Sequence, residues 1–133
     1  MTTKQLEQFE ELARRAVVCK RWRWMPGMRT AEGWRVISGP TKIGYLAYDE
    51  NPENWQIADN YFEGGKIPDL RDPATLGCLL ALVREACGDG VYLLPDGGWY
   101  VKGARLKNGS SINLGICAAT ETEALVSALE VAQ

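Results

Sequence analysis

The sequence predicts an α+β fold, an antiparallel sheet built of hairpins and packed by about three helices. Three observations predict it. Turn signals between short β-rich runs outnumber strand-helix-strand units. Three segments carry helix caps followed by apolar residues at helical spacing. The chain of 133 residues, 46% hydrophobic and 24% charged, suits one domain spanning residues 1–133, long enough to bury a core without disulfides or metal.

The first helix is expected from Thr3 to about Val18. Thr2 with Gln5 fits a capping box, and Leu6, Phe9, Leu12, Ala13, Ala16 and Val17 form an apolar stripe. The run Cys19-Lys20-Arg21-Trp22-Arg23-Trp24-Met25-Pro26-Gly27-Met28-Arg29 follows, with Pro26-Gly27 forcing a turn. Two short strands come next, Gly33–Ile37 and Ile43–Tyr48, with Gly39-Pro40-Thr41-Lys42 as turn material. From Asp49 to Pro68 no period is evident. Three aromatics, Trp55, Tyr61 and Phe62, mark this stretch as an ordered loop rather than a linker.

The second helix is signalled at both ends: Asp72 caps it, Pro73 takes the first helical position and Gly88 ends it. Leu76, Leu79, Leu80, Val83, Ala86 and Cys87 form its apolar stripe, with Ala81 and Glu85 pointing away. Val91–Leu94 and Trp99–Lys102 flank Pro95-Asp96-Gly97-Gly98 as a hairpin, and Asn108-Gly109 closes a second hairpin onto Ser111–Ile116. The last helix opens on Thr120 and Glu123 as a capping box and carries Ala124, Leu125, Ala128, Leu129 and Val131. Gly33-Trp34-Arg35-Val36 echoes Gly98-Trp99-Tyr100-Val101. A duplication would make two helix-plus-hairpin units, but four residues are too few to establish one.

Composition excludes several classes. No apolar run approaches the ~20 residues of a membrane-spanning helix, and the first residues lack a signal peptide's apolar segment, so a cytoplasmic location is expected. The chain has no histidine, and none of its four cysteines (Cys19, Cys78, Cys87, Cys117) forms a CxxC pair. That disfavours a zinc site and leaves free thiols in a reducing compartment as the simplest reading, with no metal or cofactor expected. Without histidine no Ser-His-Asp or Cys-His arrangement can exist, and no phosphate-cradling GxxxxGK[ST] loop is present. An enzyme is therefore the weaker class.

The net charge of −2 conceals a polarity. Arg14 to Arg35 holds seven basic residues and the single acid Glu32, whereas Asp49 to Asp72 holds seven acids against Lys66 and Arg71. Such segments either attract each other in the fold or an oligomer, or stay apart and steer ligands. The acidic pI near 5.2 argues against general nucleic-acid binding. The helix, three strands and helix from Asp72 onward follow the order of a double-stranded-RNA-binding domain. However, Glu121 and Glu123 stand where such a domain grips phosphate.

The alternating tryptophans and arginines suit two purposes. The tryptophans can seal a core while the arginines are solvated or pair with the acidic segment. Alternatively, Arg21, Trp22, Arg23, Trp24, Met28, Arg29, Trp34 and Arg35 form a ligand surface. There indoles stack on a base, at ~1–3 kcal/mol each, and guanidiniums grip phosphate or an acidic protein. Glu50, Glu53, Trp55, Tyr61 and Phe62 are the matching candidates for a protein contact.

Three segments carry a family resemblance: Trp22-Arg23-Trp24-Met25-Pro26-Gly27-Met28-Arg29, Asp72 to Ala86 (DPATLGCLLALVREA) and Thr120 to Glu130 (TETEALVSALE). They resemble a group of small uncharacterised proteins encoded by bacteriophages and prophages. The resemblance leaves out the Asp49–Pro68 stretch and brings no catalytic residues. It implies a phage accessory protein in the host cytoplasm, a class that includes many inhibitors of host immunity acting by binding. The expected partner is a host protein or a nucleotide second messenger, with a homo-oligomer as a further expectation. The alternative is a structural or regulatory phage protein with no small-molecule ligand.

Overall fold

The computed structural model describes residues 2–50, 60–62, 65–88, 92–95, 98–102, 104–105, 111–112 and 117–132. The fold is α+β, with three helices and antiparallel sheets among the described residues. The chain falls into two compact units: Met1–Val17 with Arg23–Cys78, and Val18–Trp22 with Leu79–Gln133.

In the first unit, helix α1 spans Thr3–Val17. Its start is the expected reciprocal capping box: the Thr2 amide donates to Gln5 Oε1 at 2.8 Å, and the Gln5 amide donates to Thr2 Oγ1 at 3.2 Å. Strands β1 (Trp34–Thr41), β2 (Gly44–Asp49) and β3 (Asn60–Phe62) form one sheet in that order. Here the structure departs from the sequence expectation in two ways. β1 continues through Thr41, and two register shifts, at Val36/Ser38 and Ser38/Thr41, absorb the extra residues before a turn at Lys42-Ile43. Gly39 sits within this irregular run at φ +137°, where an added Cβ would lie 2.8 Å from Tyr45 Cδ1. A side chain there has neither the backbone conformation nor the space. The second departure is β3, a strand of three residues inside the stretch expected to be a loop.

Pairing explains which face is buried. Val36 opposes Ala47, and both are buried. Tyr45 opposes Phe62 and their rings stack at 5.3 Å, while Trp24 meets Phe62 edge-on at the same distance. Offset-stacked and edge-on rings each add ~0.5–1.5 kcal/mol beyond area burial. Met28 and Leu70 complete this core, both essentially fully buried.

Helix α2 (Pro73–Cys87) begins in the first unit and continues in the second. Its caps are as expected: Asp72 Oδ2 accepts from the Thr75 amide at 3.0 Å, and the Gly88 amide closes the last turn onto the Arg84 carbonyl at 2.7 Å. Leu79 and Val83 are buried as the stripe requires; Leu82, outside that stripe, is buried too.

In the second unit, β4 (Tyr92–Pro95), β5 (Trp99–Lys102) and β8 (Cys117–Ala118) form an antiparallel sheet. β6 (Ala104–Arg105) pairs with β7 (Ser111–Ile112). The first expected hairpin is thus present as a strand pair; of the second, only the pairing of Ala104–Arg105 with Ser111–Ile112 is described, and the expected Asn108-Gly109 turn and residues 113–116 lie outside the described residues. The four-residue echo falls at different places in its two hairpins: Trp34 opens the first arm of its hairpin, Trp99 the second arm. Helix α3 (Glu121–Val131) packs on β5 and β8 and buries Leu125, Val126 and Leu129. Thr120 caps it by accepting from the Glu123 amide at 3.1 Å. Among the described residues, no helix is long and apolar enough to cross a membrane.

Candidate functional site

The Trp/Arg run is not a strand. It leaves α1 through turns at Val18–Arg21, extends through Met25, turns again at Pro26-Gly27 and regains β geometry only at Arg29-Thr30. Proline lacks the N–H that a ladder needs, and Gly27 takes a positive φ of 98°. The Gly27 amide donates to the Val36 carbonyl and the Val36 amide to the Met28 carbonyl, laying the run along the outer edge of β1. Arg29 bridges Arg35, and Thr30 bridges Pro68. Thr30 is fully buried, and its Oγ1 accepts the Trp34 amide at 3.0 Å.

That backbone brings two arginines onto three acids, all within the first unit. Arg29 donates from Nη1 to Asp69 Oδ2 at 2.5 Å and from Nε to Glu50 Oε1 at 3.1 Å. Arg35 grips Asp72 with both terminal nitrogens, at 2.6 and 3.1 Å, and reaches Glu50 Oε1 with Nη2 at 2.9 Å. Its Nη1 also donates to the Gly27 carbonyl at 2.8 Å. Thr75, fully buried, links the parts: its Oγ1 donates to Asp72 Oδ2 at 2.8 Å and accepts the Arg29 amide at 2.9 Å. Arg71 adds a third cation, donating to Asp69 Oδ1 from Nε and from its backbone amide, both at 3.1 Å.

Burial makes these pairs consequential: the Asp69 side chain is only 7% exposed and that of Arg35 17%. The hydrogen bond to Asp72, above all, raises the Arg35 pKa, and Glu50 adds to it against the opposing pull of burial. For Asp72, burial pushes the carboxyl upward, but hydrogen bonds from Arg35 and Thr75 outweigh it and hold the group below its ordinary value. Asp72 therefore caps α2 and anchors β1 with the same carboxylate.

The sequence candidates divide accordingly. Arg29 and Arg35 are engaged with acids of the chain's own acidic segment. Trp24 is 4% exposed and Met28 fully buried, so both belong to the core. Trp34 is half-buried at the start of β1. Arg21 and Arg23 are exposed, and Trp22 between them is half-buried. Of the protein-contact candidates, Glu50 is tied to both arginines, and Phe62 lies buried between Trp24 and Tyr45. The backbone of Tyr61 pairs with Leu46, while Glu53 and Trp55 lie outside the described residues. Sequence reasoning missed the roles of Asp69 and Thr75, although the opposed charge of the two segments was the available signal for the first.

Other features limit the chemistry. Cys19, Cys78 and Cys87 are not disulfide-bonded. Burial, aided by the Asp72 charge, pushes the Cys78 thiol up, and burial does the same to Cys87, so both are held as neutral thiols at neutral pH. Among the described residues no group of three or more acids or cysteines is placed to hold a metal ion. A groove of about 80 Å³ lies between Leu6 and Phe9 of α1 and the segment Ile67–Arg71. Sites for drug-sized ligands run ~300–1,000 Å³, so this groove admits a side chain but not a nucleotide. No known protein family, curated protein or solved structure matches the chain.

Proposed function

We propose that this chain is a non-enzymatic accessory protein of phage origin that counters a host defence by binding and blocking a host protein. The phage setting rests on the three sequence segments described above. The binding mode is supported by one observation: the engagement of Arg29 and Arg35 by Glu50, Asp69 and Asp72. A nucleotide sponge needs guanidinium donors directed at phosphate. Here the two arginines beside the buried tryptophan direct theirs at the chain's own acids. Lys20, Arg21 and Arg23 stand exposed after Val18, which is 78% exposed. A cationic segment with an apolar neighbour suits an acidic protein surface, where complementary charge speeds encounter and excludes wrong partners.

The test pairs a charge reversal with a ligand panel. The intact protein is expected to retain a host protein through purification. The Lys20→Glu/Arg21→Glu/Arg23→Glu variant should lose it at an unchanged melting temperature. Glu50→Lys is a poor probe, because it also removes the counter-charge of Arg29 and Arg35. Stabilisation by a linear or cyclic nucleotide, read as a rise in melting temperature, would favour the sponge instead. A structural or regulatory role draws support from the burial of Trp24 and Met28. It predicts that the triple reversal leaves every phenotype intact.

A further inference from the structure

We infer that Arg29 and Arg35 form a carboxylate-binding site whose resting occupant is the side chain of Glu50. Both guanidiniums converge on a single oxygen, Glu50 Oε1, from Arg29 Nε at 3.1 Å and Arg35 Nη2 at 2.9 Å. Each is also held independently of Glu50. Arg29 is fixed by Asp69, and Arg35 by the two-point grip of Asp72 and the Gly27 carbonyl. The donors that meet Glu50 therefore keep their aim when Glu50 swings out, which is the preorganisation a binding site requires.

Glu50 is also the replaceable member of the set. Its side chain is 28% exposed, against 7% for Asp69 and 12% for Asp72. Gly33 shapes the surroundings. It is at φ +102°, a Cβ on it would lie 3.3 Å from Arg29 Nη2, and its carbonyl accepts the Glu50 amide at 2.9 Å. The backbone of Glu50 is thus fastened beside the arginines while its carboxylate meets solvent.

Charge selects the ligand class. With Glu50 out, Arg29 and Arg35 lose one carboxylate charge while Asp69 and Asp72 stay in place. A monoanionic carboxylate restores the charge that Glu50 supplied. A phosphate dianion would place surplus negative charge against Asp69 and Asp72 in a partly desolvated setting, where repulsion is strong. The ligand is therefore a carboxylate, either of a free organic acid or of an acidic side chain. This inference is independent of the Lys20–Arg23 surface.

The experiment compares intact protein, Glu50→Ala and Glu50→Gln in formate, acetate, chloride and inorganic phosphate at matched ionic strength. Thermal unfolding and the NMR resonance of Arg29 Nε–H are the readouts. Formate should raise the melting temperature of Glu50→Ala by several degrees more than chloride and shift the Arg29 signal saturably. The intact protein, where Glu50 competes, should require at least tenfold more formate. Adding Arg35→Lys to Glu50→Ala should abolish the formate-specific gain. If Glu50→Ala fails to fold in chloride, its refolding yield in formate and the NMR titration of Glu50→Gln carry the same test. Equal responses to formate and chloride, or a larger one to phosphate, overturn the inference. A hexaglutamate peptide at equal carboxylate concentration then separates the sources. Tighter binding than acetate assigns the site to protein side chains, and equal binding assigns it to free acids.

Discussion

The basic run contains two regions of similar composition and different exposure. Lys20, Arg21 and Arg23 stand exposed on a segment of turns and extended chain. Arg29 and Arg35, a few residues on, face each other across a β-bridge and close onto acids from residues 50–72. Residue type does not separate these regions; backbone does. Where the chain is laid against β1, a guanidinium meets fixed carboxylates at low exposure and its charge becomes part of the fold. Exposed charge contributes little to stability, because water and salt screen it.

The comparison breaks first where packing is densest. Trp24→Ala removes an indole that is 4% exposed and meets Phe62 edge-on, and is expected to cost about 3–5 kcal/mol in urea unfolding. Next is Arg35→Ala, which strands Asp72 and half of Glu50's partners. A fully buried pair broken in this way loses ~3–5 kcal/mol, so at 17% exposure a loss of about 2–3 kcal/mol is expected from the same unfolding curves.

A smaller effect follows from pH. The Asp72 carboxyl is held below its ordinary value, so the stability it supplies is complete above its unfolded pKa of ~3.9. That stability is lost as the pH falls below this value and through the folded one. Urea midpoints measured from pH 6 down to pH 2.5 should therefore fall less steeply for Asp72→Asn than for the intact protein, with the variant already weaker at pH 6. Parallel curves would remove Asp72 from the account. The smallest effect belongs to the other region: Lys20→Glu/Arg21→Glu/Arg23→Glu should shift stability by no more than about 0.5 kcal/mol. A larger loss would mean that the exposed half is also structural.

What was legible in the sequence was local. The capping residues Thr2, Asp72 and Thr120 act within three residues of their partners, and the hairpin turns join strands adjacent in the chain. The three caps and the strand pairings are present in the structure. What was not legible depends on distant contacts. β3 is three residues long, too short for alternation to show, and it exists because Tyr45, Leu46 and Ala47 offer a ladder. The extension of β1 required the register shifts around Gly39, which no turn signal announces. The candidate site was visible only as opposed charge. Arg29 and Asp69 are 40 residues apart and Arg35 and Asp72 are 37 apart, and pattern alone does not choose such pairs. Whether a tryptophan of the run was core or surface also depended on a partner elsewhere, Phe62 for Trp24.

The interleaved partition of the chain bears on the order in which it can be completed. Residues Val18–Trp22 belong with Leu79–Gln133, whereas the residues on either side of them belong to the other unit. During synthesis this short piece leaves the ribosome early and must wait, on the order of several seconds at ordinary elongation rates, for the segment it joins. The unit containing Arg29 and Arg35 has all its residues once Cys78 has emerged; the other does not. Closure of the second unit is therefore a long-range event, which slows folding relative to local pairing. Through that interval Cys19 and Trp22 lack their own unit's packing, so this part of the tryptophan-rich run is an aggregation hazard on the nascent chain.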